Sequence, residues 1–302
     1  MTQSVWTRRR VLQIAAALPF AGVSAHAWAE APVAQWRGTA LGADSQIVLS
    51  GLDQDEAAPV FALVRDEIAR LESIFSLYDR MSELSRLNSD KTLARPSPEL
   101  IEVLDLSHTV WSASFGAFDP TVQPLWQARA MDLEQPADKY TFADVLFSSD
   151  LVTLRPNMAL TLNGVAQGYI TDQIADMLRG QGLVDVVVDA GEQRVLGTRP
   201  DGTAWRAGVA DSAGQVVKMI SLRDHALATS SGAGTLLGQG AGHILDARTG
   251  VSADLWSTLS ITHDHAAVAD AVSTAACCLT ETETDHLLKA FDGAKIAYRA
   301  KS

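Results

Sequence analysis

Residues 160–191 read LTLNGVAQGYITDQIADMLRGQGLVDVVVDAG. Leu160 and Leu162 alternate about Thr161 with the period of a half-buried strand, and Asn163-Gly164 is a dipeptide that tolerates positive φ in a tight turn. From Ala166 the spacing changes. Tyr169, Ile170, Gln173, Ile174, Met177 and Leu178 recur at three and four, which predicts a helix packed on a core. Gly180 and Gly182 end it, and LVDVVV is β-branched enough for a buried strand. The product is strand, turn, helix, strand, with the helix N-terminus aiming unpaired amides out of a sheet edge. Such an end suits an anion such as phosphate. Many strand–turn–helix units bind nothing, however. The stretch contains neither G-x-G-x-x-G nor G-x-x-x-x-G-K-[ST], so neither a Rossmann nor a P-loop mechanism is indicated.

Downstream, strands are expected at 193–197, 205–210, 215–221 and 225–229, separated by Pro200-Asp201-Gly202 and Ala213-Gly214 turns. A glycine-rich span from Ser230 leads to His243, a further strand to 257–262, a last helix to Ala266–Leu279, and a closing strand to Lys295–Arg299. Upstream, two short strands flank Gly42. A helix capped by Asp53 or Asp55 carries the stripe Val60, Phe61, Val64, Ile68, Leu71 and Phe75, which is core packing. Ser82 caps a short helix ending at Asn88, and Ser97-Pro98 opens another. Residues 127–140 read as a polar surface loop or lid, followed by strands at 145–147, 151–154 and 159–162. Mostly antiparallel strands with inserted helices make an α+β fold.

The first 29 residues stand apart. Arg8-Arg9-Arg10 precede a mildly apolar stretch and Ala27-Trp28-Ala29, a twin-arginine export signal with an A-x-A-like cleavage site. Pro19 and Gly22 interrupt the apolar run, so it is not read as a membrane span. The formal charge of −12 becomes −15 without those three arginines. So acidic a chain is a poor binder of nucleic acid or anionic lipid, and a phosphate ligand would need a metal ion or helix amides. Cys277 and Cys278 are adjacent, read as buried helix residues, and neither offers an N-terminal lipid anchor.

Three constellations carry chemistry. Asp270 and Thr274 lie four apart on one helix face, hard oxygen ligands that suit magnesium, although the same spacing also serves a local hydrogen bond. His243, leaving a glycine-rich loop, is either a general base or a structural histidine. His263 and His265 flank Asp264, where Asp264 or His265 reads better as a helix cap than as a zinc ligand.

Seven motifs in order then resemble the ApbE family of FAD:protein FMN transferases. They are FSLYDRMSELSRLN (75–88), GAFDPTVQPL (116–125), LTLNGVAQGYITD (160–172), VDAGE (188–192), ALATSSG (226–232), GHILDARTG (242–250) and ADAVSTA (269–275). The resemblance implies a single T-fold-like catalytic domain over residues 30–302. It implies magnesium-dependent transfer of FMN from FAD, the substrate, to a Thr or Ser hydroxyl of another exported protein, releasing AMP. It places Leu41 where many members have methionine over the flavin and Tyr78 in the flavin site. Ala117, Phe118 and Asp119 fall in the turn contacting the nucleotide, and Asn163, Tyr169 and Ser230 among the FAD contacts. The Ala166 carbonyl, Asp270 and Thr274 become metal ligands. His243 becomes the histidine of the transfer step, with Asp270 as alternative base. The implied partner is a periplasmic flavin-carrying subunit of a membrane electron-transfer complex, the NosX-like subgroup linked to nitrous-oxide reduction among the options. A flavin carrier without catalysis, or an FAD pyrophosphatase, is the alternative. Thr161, Gln167 and Glu192 depart from the usual acid, lysine and glycine of the family motifs.

Overall fold

The computed structural model describes residues 32–302 except 212, 213 and 239; the export signal expected at 1–29 lies outside the described residues. Strands β1 (Val33–Ala40) and β2 (Ala43–Ser50) form a hairpin with Ala40 opposite Ala43. Its two-residue turn, Leu41-Gly42, has φ of 48° and 85°. Both are left-handed, as a type I′ turn requires, and only the glycine adopts that conformation without strain. Helix α1 (Gln54–Phe75) is capped by Asp53, whose side chain accepts from Asp55 and Glu56 while Glu56 returns to the Asp53 amide. Helix α2 (Glu83–Asp90) starts at Ser82, β3 is Thr92–Ala94, and α3 (Pro98–Ala113) starts at Ser97 with proline first. A 3-10 turn at 120–122 leads into α4 (Gln123–Ala130), so the segment expected to be a loop from 127 begins as helix.

Strands β4 (Leu146–Phe147) and β5 (Leu151–Thr153) join β3 in a small sheet of order β3-β5-β4. The strand expected at 159–162 does not form. Leu160 and Leu162 are buried about half-buried Thr161, but the Leu160 amide and carbonyl are satisfied by the Asn88 side chain (2.7 and 2.8 Å), and the Thr161 amide by the Pro120 carbonyl. A side-chain amide stands in for a neighbouring strand, so the alternation is real and the ladder is absent.

Helix α5 (Ala166–Gly180) follows as expected, then β6 (Val186–Asp189) and β7 (Gln193–Leu196). The hairpin β8 (Trp205–Ala210) and β9 (Val216–Leu222) precedes β10 (Ala226–Ser230). Two small ribbons come next, β11 (Leu236–Leu237) with β12 (Ala241–Gly242), and β13 (Leu245–Asp246) with β14 (Val251–Ser252). Strand β15 (Trp256–His263), helices α6 (Ala266–Cys277) and α7 (Glu281–Lys289), and β16 (Lys295–Lys301) complete the chain. Helix α7 was not anticipated, although Thr280 and Glu283 form its capping box.

The main sheet runs β1-β2-β6-β7-β10-β15-β16 and every neighbouring pair is antiparallel. This is the α+β architecture expected, with β6 an interior strand between β2 and β7. Alternation sorts the two faces. Ile47, Leu49, Val188, Leu196, Ala228 and Ile261 pack with the helices, while Val48, Val187, Val195 and Leu227 are covered by Ala207, Val209 and Leu222 of the β8–β9 hairpin. Each large aliphatic buried here contributes about 1.5–3 kcal/mol relative to exposure. Cys277 and Cys278 are buried free thiols, and burial pushes Cys277 up to about 12.

Candidate active site

Helices α5 and α6 cross at backbone distance. A Cβ on Gly168 would stand 2.3 Å from the Ala266 carbonyl oxygen, so only glycine permits the crossing. There the Gly168 amide donates to Asp270 Oδ2 at 3.1 Å. The free helix end inferred from sequence is therefore partly used: the Ala166 amide donates to the Leu162 carbonyl and the Gly168 amide to a carboxylate, so this N-terminus orients an acid rather than waiting for an anion.

Asp270 is 3% exposed, and burial, with Asp172 nearby, raises its carboxyl to about 7 against the Gly168 hydrogen bond. One turn on, the Thr274 hydroxyl lies 3.5 Å from Ser230 Oγ, which shares a 2.7 Å hydrogen bond with Ser273 Oγ. The Asn163-Gly164 turn closes over them, since a Cβ on Gly164 would be 3.2 Å from Thr274 Oγ1 and 3.3 Å from the Phe118 ring. Ala166 lies between Gly164, against Thr274, and Gly168, bonded to Asp270. Folding thus brings Asn163, Ala166, Phe118, Ser230, Asp270 and Thr274 to one place.

Among the described residues no group of three or more His, Cys, Asp or Glu side chains is arranged to hold a metal. A site of one carboxylate, one hydroxyl and a carbonyl is not of that kind, and its all-oxygen chemistry fits a magnesium ion that keeps waters and takes the rest of its shell from phosphate. Further acid lies close by. Glu192 is buried, its Oε2 accepting the Thr229 amide, and burial followed by the charges of Asp270 and Asp189 holds its carboxyl well above the usual range. Burial raises Asp189 to about 6. Buried acids gathered without a matching base are costly unless protonated or joined by a cation.

His243 approaches from the glycine-rich loop. Its ring nitrogen Nδ1 is 3.2 Å from the Thr235 carbonyl, and Cε1 is 3.8 Å from where a Cβ on Gly234 would stand. The Gly234 amide in turn donates to the Ser231 carbonyl, beside Ser230. A carbonyl only accepts, so Nδ1 carries the proton and Nε2 keeps its lone pair. Burial lowers the imidazole below its usual range.

Other expected residues take different positions. Leu41 donates its amide to Glu72 of α1 and Tyr78 is exposed just beyond the end of that helix. Tyr169 is buried against Phe75, and its hydroxyl donates to Glu102 at 2.5 Å, so its side chain is committed to the α1–α3 side of α5. Ala117 is buried; Asp119 uses both oxygens to hold its own turn, on the Thr121 amide and hydroxyl and on the Phe142 amide. His265 is the N-cap residue of α6, as expected, but its side chain makes no capping hydrogen bond. Asp172 supplies the cap from α5, taking the Ala266 and Ala267 amides at 2.8 and 2.9 Å while paired with buried Arg194 at 2.8 Å. His263 instead accepts the His265 amide on Nδ1, with Nε2 3.0 Å from the Asp292 carbonyl. A lone arginine in the strand QRVL was the only sequence sign of this pair.

Comparison with known proteins gives one direction. The ApbE family model matches residues 41–298. The chain is 31% identical over 229 residues to a protein of Chlamydia pneumoniae named FAD:protein FMN transferase, covering 68% of this chain and 71% of that protein. It is 23% identical to the Escherichia coli K12 protein of the same name, over 80% and 78% of the two chains. Its fold superposes on the flavin transferase ApbE of Vibrio cholerae with a TM-score of 0.75 at 21% identity, over 89% of this chain and 97% of the other. The ApbE protein of Thermotoga maritima gives 0.75 at 24% identity, over 89% and 96%.

Proposed function

The chain belongs to the ApbE family, and we propose that it is a magnesium-dependent FAD:protein FMN transferase acting on a Thr or Ser hydroxyl of an exported acceptor. The meeting of Asp270, Thr274 and Ser230 with the Asn163-Gly164 turn at the α5–α6 crossing carries this reading.

The reaction forms a bond between the acceptor oxygen and the FMN-side phosphorus and breaks the pyrophosphate bridge, with AMP leaving. A divalent cation held by Asp270, Thr274 and the Ala166 carbonyl would supply charge neutralisation at the phosphate oxygens. The protein's own part is positional and acid–base. The Gly168 amide keeps Asp270 turned into the site, and Ser230 aligns the Thr274 hydroxyl. His243 Nε2, unprotonated when Nδ1 donates to Thr235, takes the acceptor hydroxyl's proton. Leu41, Tyr78 and the Ala117–Asp119 turn are offered to the flavin and nucleotide ends of FAD.

Incubation with FAD, magnesium and a threonine-bearing acceptor peptide tests the proposal. AMP release with covalent flavin fluorescence on the peptide is expected, and Asp270→Ala should abolish it. Unchanged transfer by that variant removes the metal assignment; free FMN without any acceptor would make the protein a pyrophosphatase, and bound FAD without AMP a carrier. The twin-arginine pattern supports export to the periplasm and an acceptor in a membrane electron-transfer complex. Cell fractionation of an Arg8→Lys/Arg9→Lys variant, expected to stay in the cytoplasm, checks the route.

A further inference from the structure

Helices α5 and α6 cap each other. Each carries an aspartate four residues beyond the point where the two backbones meet: Asp172 after Gly168, and Asp270 after Ala266. Asp270 Oδ2 accepts the Gly168 amide of α5, and Asp172 returns the contact by accepting the Ala266 and Ala267 amides of α6. Neither helix is capped by a side chain of its own N-cap residue, Val165 or His265. Asp172 is held in turn by Arg194 Nη1 at 2.8 Å, both side chains being buried, while Arg194 Nη2 reaches the half-exposed Asp176 at 3.2 Å.

We propose that Asp172, held by Arg194, is the positioning residue of the divalent-cation site. This rests on the metal reading given above. Ala266, Asp270 and Thr274 follow at intervals of four, so they lie along one face of α6. Fixing the first of them fixes where the carboxylate and hydroxyl stand against Ala166 on α5. Asp270 Oδ1 accepts no hydrogen bond among the described residues, so the protein orients this carboxylate through one oxygen and leaves the other for a ligand. Without the Asp172 carboxylate, two buried amides lose their acceptor and Arg194 Nη1 its charged partner, and the first turn of α6 is no longer tied to α5. The metal ligands themselves would remain in the chain, but their spacing would not be set.

Asp172→Asn tests this, because asparagine keeps the shape and removes one acceptor and the charge. Magnesium binding is measured calorimetrically on the full mature protein, beside FAD affinity and far-ultraviolet circular dichroism. The expected result is a magnesium midpoint raised about tenfold or more, with FAD affinity and dichroism unchanged and the transfer rate recovered at excess magnesium. Arg194→Lys should shift the midpoint the same way by less, and Asp176→Asn should leave it in place. If Asp172→Asn does not fold, Arg194→Lys decides by the same reading. An unmoved midpoint in a folded variant, with Asp270→Ala losing magnesium, overturns this proposal alone. An unmoved midpoint in Asp270→Ala as well overturns the metal reading beneath it.

Discussion

His243 has Nδ1 engaged by the Thr235 carbonyl and no partner on Nε2 among the described residues, and the proposed role as base rests on that asymmetry. The Thr235 carbonyl fixes the proton on Nδ1, and burial keeps the ring neutral below the ordinary 6.5. A base acts unprotonated, so the acid limb of kcat is expected below 6.5, with activity kept to lower pH than an exposed histidine would allow. His243→Gln should lower kcat by about 10²–10⁴ while the magnesium midpoint holds; a pH–rate profile of both proteins checks the pair, and an unchanged kcat returns the role to Asp270. Residue identity was legible here because histidine, aspartate and threonine carry their chemistry in their names. Their company was not. Nothing in the spacing of the chain paired Asp172 with another helix, Tyr169 with Glu102, or Asp119 with the Phe142 amide. The structure commits the first to capping α6, the second to Glu102, and the third to holding its own turn.

Elements were legible where a local signal governs them. Capping residues at Asp53, Ser82 and Ser97 and the glycines 180 and 182 at the end of α5 marked helix ends within a few residues, since each acts through neighbours in sequence. The strand expected at 159–162 failed because pairing is a tertiary event, and the partner of Leu160 is a side chain 72 residues away. The α5–α6 crossing is the element on which the site depends. Gly168→Ala would drive a methyl into the Ala266 carbonyl, a backbone group that cannot swing aside. A loss of about 3 kcal/mol is expected in denaturant unfolding, together with loss of magnesium binding. Gly180→Ala, with nothing within 4 Å of the added carbon, should instead be neutral or stabilise by up to about 1 kcal/mol. Equal effects of the two would show that the helices do not meet at Gly168.

For the whole molecule the buried acids set a pH dependence. Asp189 at about 6 and Asp270 at about 7, against 3.8 unfolded, hold protons in the folded state that the unfolded chain has released, and Glu192 is shifted the same way. Stability of the metal-free protein must then fall as pH rises from about 4 to about 7. Asp119 and Asp172 are raised by burial as well, while His243, buried neutral, contributes the opposite slope below 6.5. A magnesium ion held as proposed would bind the ionised form of Asp270, so its stabilising effect should be larger at pH 8 than at pH 5. Thermal melts in chelator and in magnesium at the two values check this; a metal-free protein that melts higher at pH 8 contradicts it.

By itself the sequence determined the α+β class, most of the strands and helices, the order of the family motifs and the candidate ligands. Hydrophobic period, capping and turn residues are local in the chain, and motif residues can be read one at a time. It also located the stretch 160–191 as the place to look. Only the tertiary structure decided that the helix start there faces a carboxylate rather than open solvent, that β6 is interior, and that Asp172 and Asp270 tie two helices together. Those facts depend on pairs about a hundred residues apart meeting at hydrogen-bond distance. Such distances follow from how closely Gly168 lets two helices approach, and no spacing along the chain encodes them.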